Sequence, residues 1–204
     1  MIDKVIHDFL IIWATIDPIG TMALFVGLTS TLSAKDRRKT AYKTIIYSGL
    51  ILVGAIVIGQ VLLGAMGISL LSFQVAGGVI LFLFGLRMIF SQNSDEETRE
   101  PRHDISVFPL AIPSTASPGA ILAVILITDN HVYTMEEQVI TAITMLMVLL
   151  VTLVLLLFSG AIIKVIGVSG ASLLTRLMGM ILAALSVEFI MEALGLEQWA
   201  NTVS

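Results

Sequence analysis

Six long apolar stretches, at about residues 6–29, 41–65, 69–90, 106–128, 138–163 and 172–194, constrain this chain more than any other feature. Each is long enough for a helix to cross a hydrocarbon layer, which takes roughly 20 residues. Joints that are charged or rich in glycine separate them. Only 13% of the 204 residues are charged and 57% are apolar, with a mean hydropathy of +1.00. Soluble domains carry about 25% charge because their surfaces face water, so the expected solvent is lipid. The fold expected is an all-α integral membrane protein with six transmembrane helices, forming a single transmembrane domain over 1–204. The apolar amino terminus lacks a charged leader and a small-residue cleavage site, and reads as a retained helix rather than a signal peptide.

The chain has no cysteine, which removes disulfides, thiolate metal sites and a cysteine nucleophile together. His7, His103 and His131 share no ligand spacing, and neither a metal nor any other cofactor is expected. A net charge of −4, with the cations confined to short joints, gives no electrostatic footprint for nucleic acid.

Orientation follows from where those cations fall. Of the eleven Lys and Arg residues, Lys4 stands alone. Lys35, Arg37, Arg38, Lys39 and Lys43 lie at the first connection, Arg87, Arg99 and Arg102 at the third, and Lys164 and Arg176 at the fifth. Those connections should be cytoplasmic and both termini should face outward; Trp199, Glu136 and Glu137 fit that outer face, although acids contribute little to orientation. The polar run from Gln92 to Asp104 reads as a solvated loop. It divides a first repeat, 1–91, from a second, 106–204, with 92–105 a cytoplasmic loop between them.

The two halves resemble each other at an offset of about one hundred residues. Asp17-Pro18-Ile19-Gly20-Thr21-Met22-Ala23 aligns with Ser117-Pro118-Gly119-Ala120-Ile121-Leu122-Ala123. Gly67-Ile68-Ser69 aligns with Gly167-Val168-Ser169, and Gly78-Val79-Ile80-Leu81 with Gly179-Met180-Ile181-Leu182 after one inserted residue. Three-helix repeats must insert with opposite orientation, so an inverted repeat is expected.

Asp17 sits near the middle of the first span. Pro18 cannot donate a helical hydrogen bond and disfavours helical geometry at Asp17. A short acceptor before proline is also a helix start, with Asp17 as N-cap and Pro18 at the first position. The fourth span carries Pro113-Ser114-Thr115-Ala116-Ser117-Pro118-Gly119, in which Ser117 and Pro118 would play the same parts. Helices 1 and 4 are therefore expected to break at mid-membrane. Each new half-helix presents free N–H groups and the positive end of its dipole. Two such starts would build a central site for a small, partly anionic solute from Asp17, Pro18, Gly20, Thr21, Ser114, Thr115, Ser117, Pro118 and Gly119. The competing reading makes both breaks simple proline kinks, whose freed carbonyls are capped by Thr15, Thr21, Ser114 and Thr115. An acid at mid-membrane is costly and by default faces a cavity or partner, which makes Asp17 the candidate for coupling to an ion.

Three motifs carry a family resemblance: Asp-Pro-Ile-Gly at 17–20, Phe108-Pro109-Leu110-Ala111-Ile112-Pro113 leading to Ser117-Pro118-Gly119-Ala120-Ile121, and Gly77-Gly78-Val79-Ile80-Leu81-Phe82. Together they resemble the MarC family of bacterial inner-membrane proteins, which is similar to the LysE exporter superfamily. The resemblance covers essentially the whole chain. It implies a plasma-membrane location and transport of neutral amino acids or related metabolites. Ala23 and Ser117 depart from the family's usual proline and glycine at those positions, and the serine adds a hydroxyl to the expected site.

Arg87 and Glu188 occupy equivalent repeat positions near opposite membrane faces and read as interfacial anchors. Gln60 reads as a hydrogen-bond link to a neighbouring helix. Gly167-Val168-Ser169-Gly170 matches the short pattern of rhomboid-type proteases but falls at a helix connection with no histidine at depth, so an enzyme is not expected. No Walker-type phosphate loop is present. The function expected is a secondary transporter or exporter of small solutes, whose active transport would need an ion gradient or a partner, with a proton or sodium as the candidate coupling ion. Its partners would be the substrate, that ion and the bilayer, with homo-oligomerisation compatible with the sequence. A passive channel and a non-transporting envelope assembly protein are the alternatives.

Overall fold

The computed structural model describes residues 2–90 and 104–196. Among these residues six helices follow in chain order: α1 (Ile2–Ile16), α2 (Pro18–Leu28), α3 (Ala34–Ala65), α4 (Leu70–Phe90), α5 (Pro118–Leu126) and α6 (Met135–Ala193). An irregular helical segment, Ser106–Thr115, precedes α5. No strand occurs among the described residues. Among the described residues, five helical units are long and apolar enough to cross a membrane: Ile2–Leu28, Ala34–Ala65, Leu70–Phe90, Met135–Gly167 and Ser172–Ala193. The pair Ser106–Thr115 and Pro118–Leu126, bent by 52°, makes a sixth when counted as one span. Most of the expected 92–105 loop, including His103, lies outside the described residues.

Several boundaries differ from the sequence expectation for local reasons. α3 begins at Ala34 rather than near residue 41 because Ser33 caps it, accepting from Asp36 N at 3.1 Å, so the helix carries its cations on its first three turns. The connection expected between 163 and 172 contracts to a turn inside α6. There Gly167 adopts φ 74, ψ 165, a conformation essentially reserved for glycine. Its counterpart one hundred residues earlier, Gly67, takes φ 69 between α3 and α4. Irregularity before α5 starts earlier than expected, at Phe108 (φ −130, ψ 124) and Ile112 (φ −127, ψ 127). Pro109 and Pro113 follow them, and a proline pushes the residue before it toward extended backbone; both X-Pro bonds are cis.

Close backbone approach organises the packing. A Cβ on Gly85 of α4 would lie 2.8 Å from Gly179 O, and one on Gly179 would lie 2.8 Å from Gly85 O, so α4 and the second limb of α6 touch backbone to backbone. Small residues allow this where lipid removes the hydrophobic drive between helices. Gly77 makes room for Leu122 of α5, and Gly119 makes room for Leu81 of α4. The main buried cluster joins Ile11, Ile12 and Ile16 of α1, Leu122 and Ala123 of α5, and Met145 and Val148 of α6. A second joins Met22 and Phe25 of α2 to Ala41, Leu110 and Leu156. Exposed apolar side chains such as Val57, Val61, Leu83 and Phe158 cover the outside, as a lipid-facing surface requires.

Asp104 ties the Ser106–Thr115 segment to α3. It pairs with Lys43 and accepts from Ser106 N at 3.1 Å, while Thr44 donates to Ser106 O. The hydrogen bonds from Lys43 and Ser106 pull its carboxyl pKa down to about 2.

Candidate functional site

The site begins where α1 stops. Asp17 takes φ 48, outside the right-handed helical region, and its carboxylate accepts from Gly20 N at 3.1 Å. Pro18 opens α2. One hundred residues on, Ser117 accepts from Ala120 N at 3.0 Å and Pro118 opens α5. Both half-helices therefore start with a side-chain cap followed by proline.

The two breaks are bonded to each other. Ser117 Oγ donates to Thr15 O at 2.9 Å, and Thr21 Oγ1 lies 3.0 Å from Ser114 Oγ. Thr21 also reaches Ile16 O at 3.4 Å, while Thr115 bonds Leu110 O at 2.9 Å and Thr15 bonds Ile11 O at 2.8 Å. Hydroxyls thus cap carbonyls at both interruptions, as the proline-kink reading expects, and a cavity opens beside them as well.

That cavity, of about 540 Å³, is lined by Asp17, Gly20, Thr21, Ser114, Arg87 and Thr175 among others. Its size falls in the range of small-molecule sites, about 300–1,000 Å³. Of the nine nominated residues, Asp17, Gly20, Thr21 and Ser114 line it. Pro18, Thr115, Ser117, Pro118 and Gly119 do not. Thr115 and Ser117 are fully buried, Pro18 is buried, Pro118 faces the exterior, and Gly119 is covered by Leu81. So the α5 start does not open on the cavity, and at the α2 start Gly20 N is already engaged by Asp17. Free helix N-termini are not what this cavity offers an anion.

Its cation is instead Arg87, which the sequence suggested as an interfacial anchor. Phe84 and Met88 of α4, and Ser172 of α6, also line the cavity and drew no attention in sequence. Arg87 carried one usable signal, as an arginine one helix turn from the end of an apolar span that contains Gly77, Gly78 and Gly85.

Chain order gives the cavity a direction. From the breaks, its lining runs along α2 toward the first connection, along the end of α4 toward the third, and to Ile163 and Ser172 around the fifth. On the other side of the breaks, Ile11, Ile12 and Ile16 of α1 pack dry against Leu122, Ala123 and Ile127. Beyond that layer lies a polar seal. Lys4 pairs with buried Asp8 at 3.0 Å, reaches Ile127 O at 3.5 Å and lies 3.9 Å over the Tyr133 ring, and Thr141 donates to Asp8. Gln60 donates to Thr128 O at 2.9 Å and accepts from Asn130 N at 3.1 Å, linking α3 to the end of α5.

The family profile described as MarC family integral membrane protein matches residues 2–197. The chain belongs to the MarC family. Similar proteins include the UPF0056 inner membrane protein MarC of Salmonella arizonae, 32% identical over 190 residues that span 85% of this chain and 86% of the relative. The protein of the same name from Escherichia coli is 32% identical over 194 residues, 87% of this chain and 88% of that one. No solved structure matches. Membership of the MarC family, inner-membrane relatives and several apolar helices make this a multi-pass membrane protein.

Proposed function

We propose that the chain is a secondary transporter of small solutes, neutral amino acids or related metabolites, built as two inverted three-helix repeats whose first and fourth spans break at mid-membrane. The observation that supports the reading is the cavity at the break, a space of about 540 Å³ whose lining includes Asp17, Arg87, Thr21 and Ser114. A lining that holds an acid, a base and hydroxyls suits a small zwitterion better than an apolar solute. Like-for-like features at the one-hundred-residue offset support the repeat: the capped starts at Asp17 and Ser117 and the positive-φ turns at Gly67 and Gly167. With the cation-rich connections cytoplasmic and both termini periplasmic, the cavity opens inward.

The dry layer of Ile11, Ile12, Leu122 and Ala123 favours a carrier over an open channel, since it lies between the cavity and the Lys4–Asp8 seal. Purified protein in liposomes loaded with a neutral amino acid should take up the labelled form by saturable counterflow. Flux that rises linearly with concentration would make it a channel. Absence of both flux and ligand-induced thermal stabilisation across amino acids and small metabolites would leave a structural envelope role.

A further inference from the structure

A second feature lies on the outside of α3, no residue of which lines the cavity. At 100° per residue, positions 35, 39, 42, 46, 50, 53 and 57 fall on one face of this helix, with 38 and 49 at its edge. All of the side chains on that face are exposed. The composition changes abruptly along it. Lys35, Arg38 and Lys39 come first, then Tyr42 at 51% exposure, then Ile46 at 59% and Leu50 at 66%. None of the three cations is ion-paired among the described residues; Arg37 and Lys43, their neighbours, are held by Ser159 and Asp104. Asp36, the acid on the same turn, is bonded to Ser33 Oγ at 2.6 Å.

Below the cations an apolar groove of about 370 Å³ runs between α3 and α6, bordered by Ile46, Gly49, Leu50 and Val53 on one side and Leu146 and Leu149 on the other. Gly49 forms its floor, where an added Cβ would meet only Leu149 Cδ1 at 3.6 Å. Lys39 and Ile46 are seven residues apart, about 10 Å at the helical rise. The headgroup layer is about 5–8 Å thick on each side of a bilayer, so when the cations lie at headgroup depth the groove lies among the acyl chains. Exposed cations at the end of a membrane helix attract anionic headgroups, and a tyrosine at the boundary is an interfacial anchor. Charge complementarity at one end and a greasy slot at the other select the occupant.

We infer that the α3–α6 face is a binding site for an anionic phospholipid, its phosphate held by Lys35, Arg38 and Lys39 and one acyl chain lying in the groove over Gly49.

The test compares dioleoyl phosphatidylglycerol with dioleoyl phosphatidylcholine, whose chains are identical, added to the detergent-solubilised full chain. Native mass spectrometry should show phosphatidylglycerol retained in preference, and thermal unfolding should shift upward with it and not with phosphatidylcholine. Free glycerol 3-phosphate, which has the charge without the chains, should give no shift. The K35Q/R38Q/K39Q variant alters exposed side chains only, so its lipid-free melting temperature should match wild type while its apparent affinity for phosphatidylglycerol falls about tenfold or more. Gly49→Ile should fill the slot and weaken retention with the cations intact. Equal retention of both lipids by wild type, or undiminished preference in the triple variant, would overturn the site. So would a stable dimer that Gly49→Ile dissociates, since a second copy would then occupy the groove.

Discussion

Ser117→Ala removes one hydroxyl and two bonds, and the structure sets what that costs. Ser117 Oγ caps α5 through Ala120 N and donates to Thr15 O, and the residue is fully buried. The backbone bonds that cross the first break are Asp17 N to Trp13 O and Thr21 N to Asp17 O, so Thr15 O depends on Ser117 for its partner. Losing an N-cap costs about 0.5–2 kcal/mol, and stranding a buried acceptor costs about 1–3 kcal/mol. The combined loss of roughly 2–4 kcal/mol should lower the melting temperature by roughly 4–16 °C for a chain of this length. Thermal unfolding of the detergent-solubilised protein, followed by circular dichroism, reads this directly. Ser114→Ala is the control: it loses only the Thr21 hydroxyl contact beside the cavity, so it should shift melting far less while reducing solute uptake. A Ser117→Ala protein that melts with wild type, or a Ser114→Ala protein that is the less stable of the two, would refute the division between a structural serine and a cavity serine.

Asp17→Asn should fold nearly normally, because Asn also caps, yet lose gradient-driven accumulation while keeping exchange; Asp17→Ala should lose about 0.5–2 kcal/mol of stability as well. An Asp17→Asn protein that concentrates solute as wild type does removes the coupling role. Gly85→Val should lower stability by about 1–3 kcal/mol, because its Cβ would meet Gly179 O at 2.8 Å; a normal melting temperature contradicts the backbone contact. Lys4→Met should strand the buried Asp8 carboxylate at a cost of about 3–5 kcal/mol, and Lys4→Met with Asp8→Leu should recover part of it. A double variant less stable than Lys4→Met alone contradicts the pairing. Single cysteines at Ser33 and Ser169 should resist an impermeant thiol reagent in intact cells while one at Thr134 reacts; the opposite pattern reverses the orientation.

The parts of this molecule that could be read in sequence are those decided within a few residues. A cap reaches from residue i to i+3, so Asp-Pro-x-Gly and Ser-Pro-Gly-Ala state their own geometry, and the structure has both starts where the text of the chain has them. Span length is likewise a local count. What a side chain faces is not local. Ser114 and Ser117 are three residues apart with the same chemistry, yet one lines the cavity and the other closes on Thr15, because the bend between Thr115 and Pro118 turns them to different neighbours. Arg87 is a similar case: its position along α4 gives its depth, which suits an interfacial anchor, but only the packing of α2 and α6 around it makes it part of a cavity wall as well. The groove on α3 needed α6 beside it and has no signature in either helix alone.

The arrangement on the two sides of the breaks is unequal in a way that bears on mechanism. On one side α1 and α5 pack dry, with Ile12 and Leu122 buried in the same cluster. On the other, α2 and the Ser106–Thr115 segment flank a cavity and meet at the Thr21–Ser114 contact in its wall. In the repeat proposed above, α1 corresponds to the Ser106–Thr115 segment and α2 to α5, so each pair contains one element of each kind. An inverted repeat gives the two pairs the same contacts to make, and only one pair needs to be apart at a time. Exchanging their states would close α2 onto the Ser106–Thr115 segment, part α1 from α5 and break the Lys4–Asp8–Thr141 seal, moving the opening to the opposite face. Asp17 and Ser117 would belong to both arrangements, since each caps one helix and stands where the two pairs join. That is why the capped breaks, rather than any single lining residue, are the fixed point about which such a carrier would turn.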